Sequence, residues 1–106
     1  PAVLAPIKTA ILPLTKKDGM PEKAREILKI LQVDFNCQYE EKDSIGKRYR
    51  RQDAIGTPFC ITVDHQTLED NTVTLRDRDT MTQERVLVEK LHSIISEKMN
   101  IAKYLS

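Results

Sequence analysis

The residues best suited to chemistry stand in two short stretches, Lys47-Arg48-Tyr49-Arg50-Arg51 and Arg76-Asp77-Arg78-Asp79-Thr80. In the first, four cations surround one aromatic ring within little more than a helical turn, so they cannot all face one way. Those that face solvent attract polyanions, because phosphates neutralised by Lys or Arg release their counterions. The plainer alternative is a solvated helix face balanced by Glu40, Glu41, Asp43 and Asp53. In the second stretch, strand alternation would put Arg76 and Arg78 on one face, roughly 7 Å apart. Two guanidinium forks at that spacing can bracket a backbone or the edge of a base. Asp77 and Asp79 can accept from the exocyclic amine of cytosine, while Arg can donate to its carbonyl oxygen and ring nitrogen. Such a ribbon suits the edge of an unstacked pyrimidine, and it equally suits a ladder of structural salt bridges.

Catalysis finds no comparable set. Gly19, Gly46 and Gly56 belong to no glycine-rich phosphate loop. Ser44 and Ser93 lack a nucleophile-elbow context, and neither Cys37 nor Cys60 has a histidine at an informative spacing. His65 and His92 read as surface or packing residues. Asp64, Asp77 and Asp79 would have to gather around Mg²⁺ to form a metal site, and alternation with Arg76 and Arg78 favours salt bridges instead. The two cysteines form no Cys-x-x-Cys pair and both sit in apolar runs, as buried thiols do. That usage suits a reducing cytoplasm. No signal-sequence pattern and no membrane-length apolar run is read.

These candidates must be carried by one domain, for 106 residues bury enough surface for a single core without metal or disulfide support. A chain that is 40% hydrophobic and 31% charged has the balance of a globular protein. Its net charge of +1 argues against a wholly basic nucleic-acid coat, so a polyanion site has to come from local clustering. The sequence starts at Pro1 and shows no catalytic signature, which reads as a piece of a longer protein.

The elements follow from periodicity. Residues 7–14, a short apolar run, predict a strand covered on both faces. From Pro21, the stripe Ala24, Ile27, Leu28 and Leu31 predicts a helix with proline in its first turn. Phe35, Cys37 and Tyr39 alternate with polar residues over 34–40, the period of a strand, and a right-handed connection is expected if it lies parallel to the first. Ser44 can cap a shorter helix that runs to about Ile55 and carries the basic cluster, with Gly56 as its stop. Residues 58–64 read as a strand, 65–71 as a loop, and 72–79 as a strand antiparallel to the one before. Residues 83–89 suit either a strand or a helix, and the Val86 and Val88 alternation favours the strand. Leu91, Ile94, Ile95 and Met99 mark a closing helix. The sum is an α/β layered domain with a mixed sheet of about five strands and three helices.

As a composite, the stretches 43–64 and 72–86 resemble the C-terminal anticodon-binding domain of the dimeric, class II type of glycyl-tRNA synthetase. The resemblance runs from about Tyr39 to Val86. Its pieces are a helix entered by Ser44-Ile45-Gly46 that carries Arg48, Tyr49 and Arg51; the exit Asp53, Ile55 and Gly56; the strand end Thr62-Val63-Asp64; and the strand from Thr74 to Thr80 followed by Gln83 and Arg85. It implies a five-stranded mixed sheet with three helices that holds the anticodon loop of a glycine tRNA. It further implies that a separate catalytic domain, whose motifs are absent here, uses ATP and Mg²⁺ to attach glycine. By the same resemblance the parent is a cytoplasmic homodimer formed mostly through that domain, which leaves this piece, spanning 1–106, without catalysis or a cofactor of its own and compatible with a monomer.

The RNA contacts expected are Arg76, Asp77, Arg78, Asp79, Thr80 and Gln83 toward bases, Lys47, Arg50 and Arg51 on phosphates, and Arg85 as a further RNA-binding residue. Arg48, Tyr49, Asp53 and Asp64 would either touch RNA or lock the helix to the sheet. The alternatives are the equivalent domain of prolyl, threonyl or histidyl synthetases, the accessory subunit of mitochondrial DNA polymerase with its protein and DNA clamp, or a protein-interaction module. A redox protein using Cys37 and Cys60 needs the two thiols close together.

Overall fold

The computed structural model describes residues 7–105, with side chains over 7–100, so the ends of the span expected over 1–106 lie outside the described residues. The chain order is β1 (Thr9–Pro13), α1 (Met20–Leu31), β2 (Cys37–Tyr39), α2 (Ile45–Ile55), β3 (Phe59–Val63), α3 (His65–Asp70), β4 (Thr72–Asp77), β5 (Thr82–Leu87), a 3₁₀ turn (Val88–Lys90) and α4 (Leu91–Leu105). The strands form one mixed sheet in the order β2-β1-β3-β4-β5. β1 lies parallel to both β2 and β3, while β4 runs antiparallel to β3 and to β5. The mixed α/β sheet expected from the sequence is the one observed, with four α-helices in place of three.

The extra helix is α3, where the sequence suggested only a loop. It has no apolar stripe to announce it, and Leu68 is 42% exposed. Its ends make it instead. The Asp64 carboxylate accepts from the Thr67 N–H, and the Thr67 hydroxyl accepts from the Asp64 N–H, a reciprocal cap worth about 1 kcal/mol. Asn71 then closes it in the left-handed region with φ 59°.

The other helices follow the sequence more directly. In α1, Met20, Ala24, Ile27 and Leu31 are buried, and Pro21 stands in the first turn. In α2, the Ser44 hydroxyl accepts from the Lys47 N–H at 3.3 Å, and Gly56 ends the helix with φ 81°. β2 is shorter than the seven residues expected. Phe35 nevertheless joins Cys37 and Tyr39 against the core, as their alternation requires.

The two faces of the sheet are covered unequally. α1 and α4 pack on one, around Ile11, Ile27, Leu31, Ile61, Leu75 and Ile95. On the other face, the apolar cluster is Ala10, Leu12 and Cys60 with Ile45 and Tyr49, so the apolar cover from α2 ends at β3, and beyond it only Tyr49 and Asp53 reach Arg76 on β4. Register places Thr74, Arg76, Gln83 and Arg85 on that same side, beyond the helix. Half of one sheet face is therefore left open, and its polar residues are the ones the sequence singled out.

Candidate nucleic-acid interface

The basic cluster is divided by the geometry of α2. Arg48 points into the protein and is 1% exposed. Its guanidinium donates to the carbonyls of Pro13 at 2.6 Å, Glu40 at 3.0 Å and Leu14 at 3.1 Å, closing the carboxyl ends of β1 and β2 against the helix. Burial holds its pKa below the usual range for arginine. Gln52 lies one turn on, equally buried, donating to Gln38 and Glu40 and accepting from the Thr57 hydroxyl at 2.7 Å. Sequence reasoning missed Gln52; its i+4 spacing from Arg48 was the signal available.

Arg51 turns toward the loop that precedes its own helix. It bonds Glu40, Asp43 at 2.9 Å and the Lys42 carbonyl at 3.1 Å. Of the cations expected to clamp phosphate, it is the one already paired with carboxylates. Lys47 and Arg50 are the exposed pair, and neither takes part in an ion pair among the described residues.

Tyr49 faces the open side. Its hydroxyl meets Thr62 Oγ1, and the Arg76 guanidinium lies over its ring at 5.0 Å. Arg76 also grips Asp53 with two bonds of 2.8 and 3.0 Å, holding that carboxyl below the usual carboxylate range. Arg85 does the same to Asp64, at 2.5 and 2.8 Å, and adds the Thr72 hydroxyl at 2.8 Å. The Asp64 carboxyl is lowered first by Arg85 and further by the Thr67 N–H. Fork-to-carboxylate pairs of this kind fix orientation as well as charge. Tyr49, Asp53 and Asp64 thus act as locks between helix and sheet.

Two expectations for the second stretch are corrected. Arg76 and Arg78 do not share a strand face, because β4 ends at Asp77 and Arg78 begins the turn to β5. Asp77 is 7% exposed and faces the α4 side. One of its carboxylate oxygens accepts from the backbone N–H groups of Asp79 at 3.0 Å and Thr80 at 3.2 Å, while the other lies 3.5 Å from Lys98 Nζ. That leaves Asp77 no edge to offer a base. Asp64 and Asp77 also stand at opposite ends of β3, too far apart to share an ion.

The structure therefore assembles a surface with a locked floor and a free rim. Arg76 and Arg85 form the floor with Thr74, and Gln83 lies directly opposite Arg76 on β5. Arg78, Asp79, Thr80 and Gln83 are exposed at one end, where Arg78 and Asp79 sit 3.7 Å apart. Lys47 stands in the first turn of α2 and Arg76 meets the last turn through Asp53, six residues on, so roughly 9 Å along the helix axis separates the two positions.

A thiol pair is ruled out by the same register. Cys37 shares the face of Thr9, which donates to its sulfur at 2.9 Å, whereas Cys60 shares the face of Ala10. The two lie on opposite sides of the sheet with β1 between them.

The sequence profile of the family described as "Anticodon binding domain" matches residues 8–98. The chain belongs to this anticodon-binding family. Among the relatives of this anticodon-binding domain, the glycine-tRNA ligase of Clostridium tetani is 57% identical over 96 residues, covering 91% of this chain and 20% of the ligase. That of Clostridium perfringens is 59% identical over the same shares, and that of Borrelia hermsii 55% identical over 87% of this chain and 21% of the ligase. The chain thus spans about a fifth of the length of these curated relatives. The fold matches the RNA binding domain of threonyl-tRNA synthetase from Cryptosporidium parvum with a TM-score of 0.82 at 23% identity, over 92% of this chain and 24% of that one. Prolyl-tRNA synthetase from the same organism matches at 0.83 and 19% identity, over 91% of this chain and 21% of that one. At those identities the likeness is one of fold alone.

Proposed function

We propose that this chain is the C-terminal anticodon-binding domain of a glycine-tRNA ligase, holding the anticodon loop across the open half of its sheet. The observation that carries the proposal is the pairing of a locked floor, Arg76 and Arg85, with an exposed polar rim at the β4–β5 turn. A single-stranded loop is read when its bases are splayed against such a surface and bonded along their edges. Glycine codons begin with two guanines, so the anticodon ends in two cytosines. Arg78 and Asp79, side by side on the turn, offer a donor fork and an acceptor that together complement a cytosine edge. Thr80 and Gln83 extend the rim, and Lys47 and Arg50 sit along the helix where backbone phosphates would pass. Contacts of that second kind position RNA without specifying it.

In the longer protein, the transfer of glycine belongs to a separate domain, to which we assign ATP and Mg²⁺. We place that protein in the cytoplasm as a homodimer joined mainly outside this domain. Among the described residues, no helix is long and apolar enough to cross a membrane.

The test is binding of this chain to a fluorescent stem-loop with a glycine anticodon, beside one with both cytosines replaced, at two salt concentrations. The expected result is tighter binding to the cytosine loop, with Arg78→Ala losing about 1–3 kcal/mol there and less on the replaced loop. Equal binding to both loops would reduce the domain to holding phosphates. No binding at low salt would sink the RNA reading.

A further inference from the structure

Among the described residues, four non-glycine residues have positive φ: Asp18, Asp43, Asn71 and Met81. The first three are of the type that tolerates the left-handed region, because a short polar side chain bonds locally there. Met81 is not, and its φ is 62°. It is also the most exposed large apolar side chain among the described residues, at 81%. Either feature alone would be unremarkable at a turn. Together they describe an unbranched thioether held out from the tip of the β4–β5 hairpin on a backbone that would cost glycine nothing.

The surrounding turn keeps that conformation in place. The Arg78 N–H donates to the Pro58 carbonyl at 2.8 Å, and Asp77 receives the next two N–H groups while leaning on Lys98. Beyond Met81, the hydroxyls of Thr80 and Thr82 meet at 2.7 Å. A strained residue persists only where its neighbours over-determine it, and such residues cluster where ligands are gripped. Its immediate neighbours are polar: Arg78, Asp79, Thr80, Thr82 and Gln83 are all exposed. One apolar side chain inside a ring of donors and acceptors suits a flat heteroaromatic ring with a polar edge better than it suits a protein core.

We propose that Met81 packs against the face of an unstacked base of the bound RNA loop, its thioether on the ring while the neighbouring polar groups take the edge. This rests on the anticodon reading above, and adds a residue that holds the base by its face. Sulfur and methyl contacts with an aromatic face are soft and directionally tolerant, so they clamp a base without choosing among bases. Discrimination stays with the edge contacts.

The test compares this chain with Met81→Ala and Met81→Gly, using a fluorescent stem-loop with a glycine anticodon and a series in which each loop base in turn is made abasic. Met81→Ala is expected to weaken binding about three- to tenfold without altering the slope of affinity against salt, since no charge is removed. At one loop position, and only there, the abasic substitution should erase the difference between wild type and Met81→Ala. Met81→Gly should weaken binding likewise while raising the melting temperature by about 4 °C, as the left-handed cost is relieved. Wild type that binds the loop with Met81→Ala unchanged overturns this inference alone, as does a deficit that persists at every abasic position. Wild type that binds no loop overturns the anticodon reading and this inference with it.

Discussion

Replacing Arg48 by methionine keeps most of the side-chain volume and removes the charge, which makes it a direct measure of what the buried guanidinium does. Three carbonyls, those of Pro13, Leu14 and Glu40, would lose their donor. Hydrogen bonds to a charged group contribute about 1.5–3 kcal/mol each, so the gross loss is roughly 4–9 kcal/mol. Two effects work the other way. The guanidinium no longer has to be stripped of water, and its Nε, buried with no partner among the described residues, is no longer an unmet donor. The net destabilisation is then about 3 kcal/mol, a large part of the roughly 5–15 kcal/mol that holds a domain together. Urea unfolding followed by circular dichroism reads this directly. With a slope of about 1.5 kcal/mol/M, the midpoint should fall by roughly 2 M. A fall below about 0.5 M would refute the reasoning, and a stable variant that binds RNA more weakly would make Arg48 a contact and not a clamp.

Other expectations concern charge. Lys47→Ala should weaken binding of any stem-loop alike and lower the salt slope by about 0.7, the increment per phosphate contact for single strands, whereas Arg51→Ala, already satisfied by Glu40 and Asp43, should leave the slope unchanged; the measurement is anisotropy titration across a salt series. Asp53 and Asp64 are held below the ordinary carboxylate range by Arg76 and Arg85. Their folded pKa values lie below an unfolded value of about 3.9, so between the two the unfolded chain binds more protons and stability rises with pH. The stabilisation is complete above the unfolded value and disappears as pH falls through the folded one. Asp64→Asn keeps a capping oxygen but loses the ion pair, and should cost about 1–2 kcal/mol at pH 7 while flattening the acid limb of melting temperature against pH. Parallel limbs for the two proteins would contradict this.

The sequence carried the fold through its apolar periods. The run of β1 is fully buried, as are Ala24, Ile27 and Leu31 of the α1 stripe, so their patterns are strong, and β4 alternates faithfully between core and open face. α3 was illegible because its stability comes from two caps and not from a stripe, and a six-residue helix has no room for a period. The residues that line the candidate surface were legible in the sequence as polar and charged groups, but their partners in the fold were not. Spacing alone brought Arg76 and Arg78 together as strand neighbours, and nothing in spacing reveals that the strand stops at Asp77. Nor does it show that Asp53, 23 positions from Arg76, will occupy that guanidinium. Partners distant in sequence decide which of several equivalent arginines is spoken for. Gln52 and Met81 went unnoticed for opposite reasons, one being an ordinary polar residue whose burial was hidden, the other an apolar one whose exposure was.

The sheet order also makes β5 an outer strand, paired with β4 alone among the described residues. Such an outer strand invites another copy to add itself on, and the propensity grows with every uninterrupted apolar run. Thr82, Gln83, Glu84 and Arg85 interrupt it for four of its six residues, leaving only Val86 and Leu87. Gln83 and Arg85 on the open face, with Thr82 and Glu84 on the other, therefore serve as a guard against self-association. Substitutions that made this strand more apolar, in search of tighter stacking, would lower solubility well before they lowered stability.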